Sequence, residues 1–253
     1  ELDKCTIIRA AAIAPDGTSS SVITNSYFVG NDMANKYKGA TVASLVMDPN
    51  DLLDYNTGIL ALGAYYDEWR KTAEAKQIIQ SKAYWNYEGN YTQSGKGWER
   101  QATMDYIDPS TGNVEFSAPM GVRLHGGASR MYGQKSFKFY MREEYGQKNL
   151  KYALIPGDVD KDGKQIKKYK GFMLRNGGND TELTKIRDVF IQSCITDRAY
   201  GTQAARPCVL FLNGEYWGLY NLTERYSDNN FEENYGVDKD NVVVFKEDEL
   251  DEG

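Results

Sequence analysis

The sequence predicts an α+β protein in which antiparallel strands dominate and a few helices pack against them. Three observations carry this expectation. Short apolar runs alternate with a period of two between clusters of Asn, Asp, Gly, Pro and Ser, the pattern of strands with one buried face. Asn213-Gly214 stands between two apolar runs, and this pair readily takes the positive φ of a two-residue hairpin turn. Two stretches, near 65–80 and 181–195, carry helix formers or apolar residues at helical spacing.

Taken in chain order, Thr6 to Ala14 and Val22 to Val29 read as a hairpin around Pro15-Asp16-Gly17-Thr18. Two strands alone bury too little surface to stand by themselves, so the hairpin either packs on the rest or ends a preceding sandwich, and the second is preferred. One helix is expected over 65–80. A second hairpin joins 100–107 to 113–117 through Asp108-Pro109-Ser110-Thr111-Gly112, and strands continue through Gly121–His125, Ser136–Met141 and Lys168–Leu174. Thr181 is positioned to cap a helix whose Leu183, Ile186, Val189, Phe190, Cys194 and Ile195 would bury one face against the sheet. Ser227 caps a shorter helix that stops at Gly236, and Asn241 to Lys246 supplies a last strand.

Composition excludes several classes. The 253 residues are 41% apolar and 26% charged, as in a folded globular protein, and no apolar run reaches the ~18 residues of a membrane-spanning helix. Thirty Lys and Arg against 36 Asp and Glu give a formal charge of −6, so bulk charge gives no support to nucleic-acid binding. Cys5, Cys194 and Cys208 have no zinc-like spacing and read as buried thiols, while a single histidine, His125, argues against an imidazole metal site.

Four segments bear candidate chemistry. Between Gly121 and Lys138, glycines 126, 127 and 133 stand with Ser129, Arg130 and Lys135 between two strands. Such a loop lets backbone N–H groups approach phosphate while a cation neutralises it; a glycine-bearing loop beside a solvated basic strand is the alternative. Lys135 is expected at an exposed strand position. Asp158, Asp160 and Asp162 with Gly163 match half of a calcium loop, but Tyr169 stands where the bidentate glutamate belongs, which favours a plain turn. The junction Leu174 to Asp180, with Arg187-Asp188 beyond it, suits either a site or a helix cap with a structural ion pair. Glu224 follows a largely apolar run and is expected to be half-buried and paired.

Leu45 to Asp54 with Gly58 to Gly63, Gly97-Trp98-Glu99-Arg100, Gly121 to Arg130 with Gln134 to Phe139, Leu174 to Asp180 with Ile186 to Phe190, and Leu210 to Arg225 form five ordered blocks. Over roughly residues 40–247 they resemble the CotH family of bacterial spore-coat and secreted proteins, some of which act as atypical protein kinases. Residues 1–37 are similar to the closing strands of the chitobiase-C-like β-sandwich that often precedes this module. The resemblance implies an antiparallel-sheet-rich, atypical kinase-like module over 38–253 with a few packed helices, incomplete at its C-terminal end.

It further implies nucleotide binding by Arg123, Gly126, Gly127, Ser129, Lys135 and Glu224, with Glu224 as the partner of Lys135. ATP with Mg or Mn is the implied cofactor, and Ser or Thr hydroxyls of exported, spore-coat or surface proteins are the implied acceptors. Location follows: secreted, at the cell surface or in the spore coat of a bacterium. The family's catalytic Asn-x-Asp-Gly loop and metal-binding Trp-Asp block occur nowhere in these 253 residues, so no catalytic or metal residue is assigned and the chain alone is expected to be inactive. The rival reading is a non-catalytic extracellular binding or scaffold module of a surface or polysaccharide-degrading assembly, with Trp69, Trp85, Trp98 or Trp217 stacking on sugars.

Overall fold

A computed structural model describes residues 5–30, 32–198, 200–246 and 249–252. The elements are, in order, β1 (Thr6–Ala10), β2 (Ile23–Tyr27), α1 (Met33–Lys36), β3 (Thr41–Met47), α2 (Pro49–Leu53), α3 (Gly63–Trp69), α4 (Ala73–Gln80), β4 (Arg100–Asp108), β5 (Asn113–His125) and β6 (Ser136–Tyr140). There follow β7 (Leu150–Lys151), β8 (Lys168–Tyr169), β9 (Gly171–Arg175), α5 (Arg187–Ser193), β10 (Ala205–Leu212), β11 (Glu215–Glu224), α6 (Asp228–Tyr235), β12 (Val244–Lys246) and β13 (Glu249–Glu252).

Strands β10, β11, β9, β6, β5, β4 and β3 close into a barrel, in that order. Every pairing is antiparallel except the closing one, where β10 runs parallel to β3 from Cys208 opposite Thr41 to Leu212 opposite Leu45. Alternation along each strand sends one set of side chains inward: Ala43, Leu45 and Met47 from β3, Met104 and Tyr106 from β4, Phe137 and Phe139 from β6. Phe139 stacks on Phe172, its register partner on β9, at 4.9 Å. Truncating either ring to Ala would cost about 3–5 kcal/mol, since the barrel interior has no other atoms to fill the space.

The Asn213-Gly214 turn is found as expected, with both residues at positive φ. Asn213 also extends the closing pair, its N–H donating to the Leu45 carbonyl (2.9 Å) and its side-chain oxygen accepting from Met47 N–H (2.8 Å). The β1–β2 hairpin lies on the outer face of the barrel. Cys5, Ile7, Phe28, Met33 and Tyr37 cluster there with Val42, Ile107, Val209 and Phe211, and Phe28 meets Phe211 edge-on at 4.8 Å.

Three expectations are corrected. The segment 65–80 is two helices, because the chain turns after Trp69 and Thr72 recaps it by accepting from Ala75 N–H (3.1 Å). Lys168 to Leu174 divides into β8 and β9. The helix foreseen from Thr181 starts only at Arg187, because the Asp180 carboxylate accepts from Thr184 N–H and hydroxyl and from Arg187 N–H, while Lys185 takes a left-handed φ of 64°. Its apolar residues do not meet the sheet: Leu183, Ile186, Phe190 and Ile191 are exposed. Cys5 and Cys208 are buried as foreseen, whereas Cys194 is exposed.

Candidate functional site

The outward faces of β5, β6 and β9 build a strongly basic surface. On β6 and the residues after it, Phe137, Phe139 and Met141 point into the barrel, so Lys138, Tyr140 and Arg142 point out; Arg123 on β5 lies opposite Lys138 in register. These side chains floor a cleft of about 760 Å³, walled by the start of α6 and by Lys246 and Leu250 of β12 and β13. Arg123, Arg142 and Arg225 approach the Tyr140 ring at 4.5, 5.1 and 4.9 Å. Arg130, Lys138, Lys170 and Lys246 complete the lining, and among the described residues Asp228 is its one carboxylate.

The electrostatics follow. His125, also in the lining, is held down at about 3, first by burial and then by the charges of Lys138, Arg175, Lys246 and Arg130. It is neutral at physiological pH in a strongly positive surrounding. Behind the cleft Glu99 neutralises part of the charge. Its carboxylate accepts from Arg123 Nε (2.9 Å), Arg142 Nε (2.7 Å), Lys96 Nζ (2.9 Å) and the Tyr145 hydroxyl (2.9 Å). Burial pushes this carboxyl up, but those bonds and the Arg123 charge outweigh burial and hold it at about 2.

Of the sequence-predicted site residues, Arg123 and Gly126 line the cleft. Gly126 has φ 112°, and a Cβ there would fall 2.4 Å from Ser129 Oγ, so the turn at the cleft edge requires glycine. Arg130 fixes the turn by donating to the Gly126 carbonyl and, through Nη1, to the Thr92 carbonyl (2.6 Å). Gly127 and Ser129 belong to the same turn, around the short 3-10 segment Ala128–Met131.

Lys135 is not exposed, contrary to expectation. Tyr91 covers it, with Nζ 4.7 Å from the ring centroid, and Nζ donates to the Tyr132 carbonyl (2.8 Å); burial draws its pKa down to about 8. Glu224 is buried rather than half-buried, and its partners are other than Lys135. One oxygen accepts from Ala204 N–H (2.8 Å), the other from Asn230 and Asn234 side-chain amides (2.7 Å each).

Glu224 faces a second cleft of about 760 Å³, largely apolar, bordered by Ile155, Ile186 and Phe190. Asp158 is there too, buried, accepting from the Tyr169 hydroxyl (2.8 Å). Asp160 closes a turn by accepting from Asp162 and Lys164 N–H (2.9 Å each), so these carboxylates serve separate tasks. At the Leu174–Asp180 junction, Arg175 pairs with Asp188 and Asn176 is bonded to Ser136, the structural alternative of the two. Trp69 packs against Tyr66 and Tyr87, Trp98 against Tyr65, and Trp217 against the barrel core, which leaves Trp85 half-exposed beside Tyr84.

Sequence reasoning missed Lys138, Tyr140, Arg142, Lys170, Arg225 and Lys246. A signal for three of them was present: Ser136 to Arg142 alternates, and every outward position from Lys138 on is basic or aromatic.

The barrel with a cationic cleft on its outer face lies mostly within one recognised family. The CotH family model, described as CotH kinase protein, matches residues 122–252, just over half of the chain, and the chain belongs to this family. The matched span contains every cation that lines the cleft. No match is found among curated proteins.

Proposed function

We propose that this chain is the nucleotide-holding part of a CotH-type atypical protein kinase, directing the γ-phosphoryl of ATP to Ser or Thr hydroxyls of exported, spore-coat or surface proteins. The observation that carries the reading is the cationic cleft, whose lining brings seven Lys and Arg side chains together within the family-matched span and, among the described residues, one carboxylate. Polyphosphate is the anion that such a density of charge binds best, and guanidinium groups match its oxygens in pairs.

The triphosphate fits these residues. Among the described residues no group of three or more His, Cys, Asp or Glu side chains is arranged to hold a metal. Binding and orientation of the phosphates are therefore what this chain supplies: Lys138, Arg130 and Lys246 take charge near Gly126, and Arg123 is held in line by Glu99. No base for the acceptor hydroxyl is assigned, in keeping with the missing aspartate blocks, so binding without transfer is expected.

Calorimetric titration with ATP, with and without magnesium or manganese, tests the reading. Saturable one-to-one binding that tripolyphosphate competes away supports it, and no binding refutes it. A glycan-binding module is the second reading, favoured by half-exposed Trp85 edge-on to Tyr84 at 5.1 Å. Quenching of tryptophan fluorescence by oligosaccharide, absent in Trp85→Ala, would support it.

A further inference from the structure

Glu224 and Asp158 share the apolar cleft, and among the described residues neither has a cationic partner. Glu224 is 2% and Asp158 5% exposed, and each carboxylate is held by neutral donors alone: Glu224 by the Ala204 N–H and the side-chain amides of Asn230 and Asn234, Asp158 by the Tyr169 hydroxyl. Glu224 acts on Asp158 as a neighbouring charge, and no Lys or Arg does. Two cations line the cleft, but each is engaged with another group. Arg206 Nη1 donates to the Leu154 carbonyl (3.5 Å), and Lys161 Nζ stands 3.8 Å from the Asp162 carboxylate.

Acceptors exceed donors around this pair. Asn230 and Asn234 turn their NH2 groups to Glu224, and the Oδ1 of each is buried with no donor. Buried charge without a counter-ion is costly, so the base of the cleft is complementary to a cation that brings several N–H donors. The walls select the rest of the ligand. Ile155, Val189 and Ala204 line the cleft, and Ile186, Phe190 and Val159, which also line it, remain 48%, 62% and 48% exposed. A long aliphatic stem that ends in a charge matches apolar walls above carboxylates, as a lysine side chain provides. Arginine suits the base less well. A guanidinium prefers two parallel oxygens of one carboxylate, and both oxygens of Glu224 already accept bonds, whereas the three donors of an ammonium can meet separate acceptors.

We infer that this apolar cleft binds a polypeptide segment through a lysine side chain, whose stem lies along Ile155, Ile186 and Phe190 and whose ammonium meets Glu224 and Asp158. Apolar residues on either side of that lysine cover Phe190 and Val159. A cleft of about 760 Å³ exceeds the volume of one side chain, and its exposed apolar residues give the flanking positions a surface to cover. The cationic cleft shares no lining residue with this one, so the inference stands apart from the nucleotide reading.

The test is calorimetric titration of the chain with a pentapeptide blocked at both ends, leucine-valine-lysine-phenylalanine-leucine. Versions with norleucine or arginine in place of the lysine are titrated beside it, and n-butylamine serves as the bare amine. The lysine peptide should bind saturably, about tenfold more tightly than the norleucine peptide. Glu224→Gln should weaken the lysine peptide about tenfold and leave the norleucine peptide within about twofold, while Phe190→Ala, at an exposed position, should weaken both about threefold. Circular dichroism checks that the variants are folded; should Glu224→Gln unfold, Asp158→Asn takes its place, with a loss of about threefold or more confined to the lysine peptide. Equal affinity for the lysine and norleucine peptides, or unchanged lysine-peptide binding in the carboxylate variant, would overturn the inference. Butylamine binding as tightly as the peptide would overturn the polypeptide part, and the arginine peptide binding as tightly would overturn the choice of lysine. ATP titrated into the same chain separates the two readings: lysine-peptide binding without ATP binding would remove the nucleotide reading and keep this one, and ATP binding without peptide binding would do the reverse.

Discussion

Arg123 and Glu99 are joined twice, Arg123 Nε and Nη2 both meeting Glu99 Oε2, at 2.9 and 2.8 Å. Glu99 sits just before β4 and Arg123 on the neighbouring β5, so the pair fastens the floor of the cationic cleft to the barrel wall. The same carboxylate takes Arg142, Lys96 and Tyr145, and so fixes two of the three guanidinium groups around Tyr140.

Glu99→Gln removes the charge and keeps the shape, leaving Arg123 and Arg142 without their counter-ion. We expect a loss of about 3 kcal/mol in chemical unfolding. The pH dependence has a definite sign. The folded carboxyl lies at about 2 against an ordinary 4.5, so its contribution is full above about 4.5 and is lost as pH falls toward 2. The variant should lose the part of the acid transition that falls in this window.

Gly121→Ala probes the same spot sterically. A Cβ there would lie 2.5 Å from Glu99 Oε1 and 2.6 Å from the Tyr145 ring, so the Glu99 cluster must shift. We expect a destabilisation of about 2 kcal/mol or more, and less in combination with Glu99→Ala, which removes the clash with the carboxylate though not that with the Tyr145 ring; a double-mutant cycle reads the difference.

Asp158 predicts the opposite slope. Burial, then the Glu224 charge, raise it to about 7 against an opposing hydrogen bond from Tyr169. The folded state therefore binds a proton that the unfolded chain releases near 3.8, and stability falls as pH rises from about 4 to 7. Asp158→Asn keeps the acceptor for Tyr169 and should flatten this decline, melting several degrees above the parent at pH above 7.

Lys135 and Lys138 separate two places for the phosphates. Lys138 lines the cleft, whereas Lys135 lies beneath Tyr91. Tripolyphosphate affinity should fall about tenfold in Lys138→Met and stay within about twofold in Lys135→Met. The reverse order would place the phosphates at the glycine turn and Lys135.

Local features of the fold were legible in the sequence, and long-range ones were not. Asn213-Gly214, the Ser227 cap and the 100–117 hairpin are set by a few neighbouring residues, and each is found. The parallel β10–β3 closure joins strands more than 150 residues apart, a pairing no periodicity encodes. The 181–195 helix failed because the Asp180 side chain competes with helical hydrogen bonds. Lys135 was misjudged because its cover, Tyr91, comes from a distant segment. Arg123 and Gly126 were placed through the family resemblance, while Lys170, Arg225 and Lys246 reach the cleft only through β-sheet register and the position of α6.

The chain has one histidine, and it lies in the cleft, so the imidazole of His125 reports on this site alone. Imidazole resonances of His125 followed by NMR during an ATP titration test the central claim most directly. The account predicts a saturable shift, reversed by tripolyphosphate, with the ring pKa rising from about 3 as bound phosphate offsets the surrounding cations. An unmoved His125 resonance while calorimetry records ATP binding would place the nucleotide elsewhere and contradict the account.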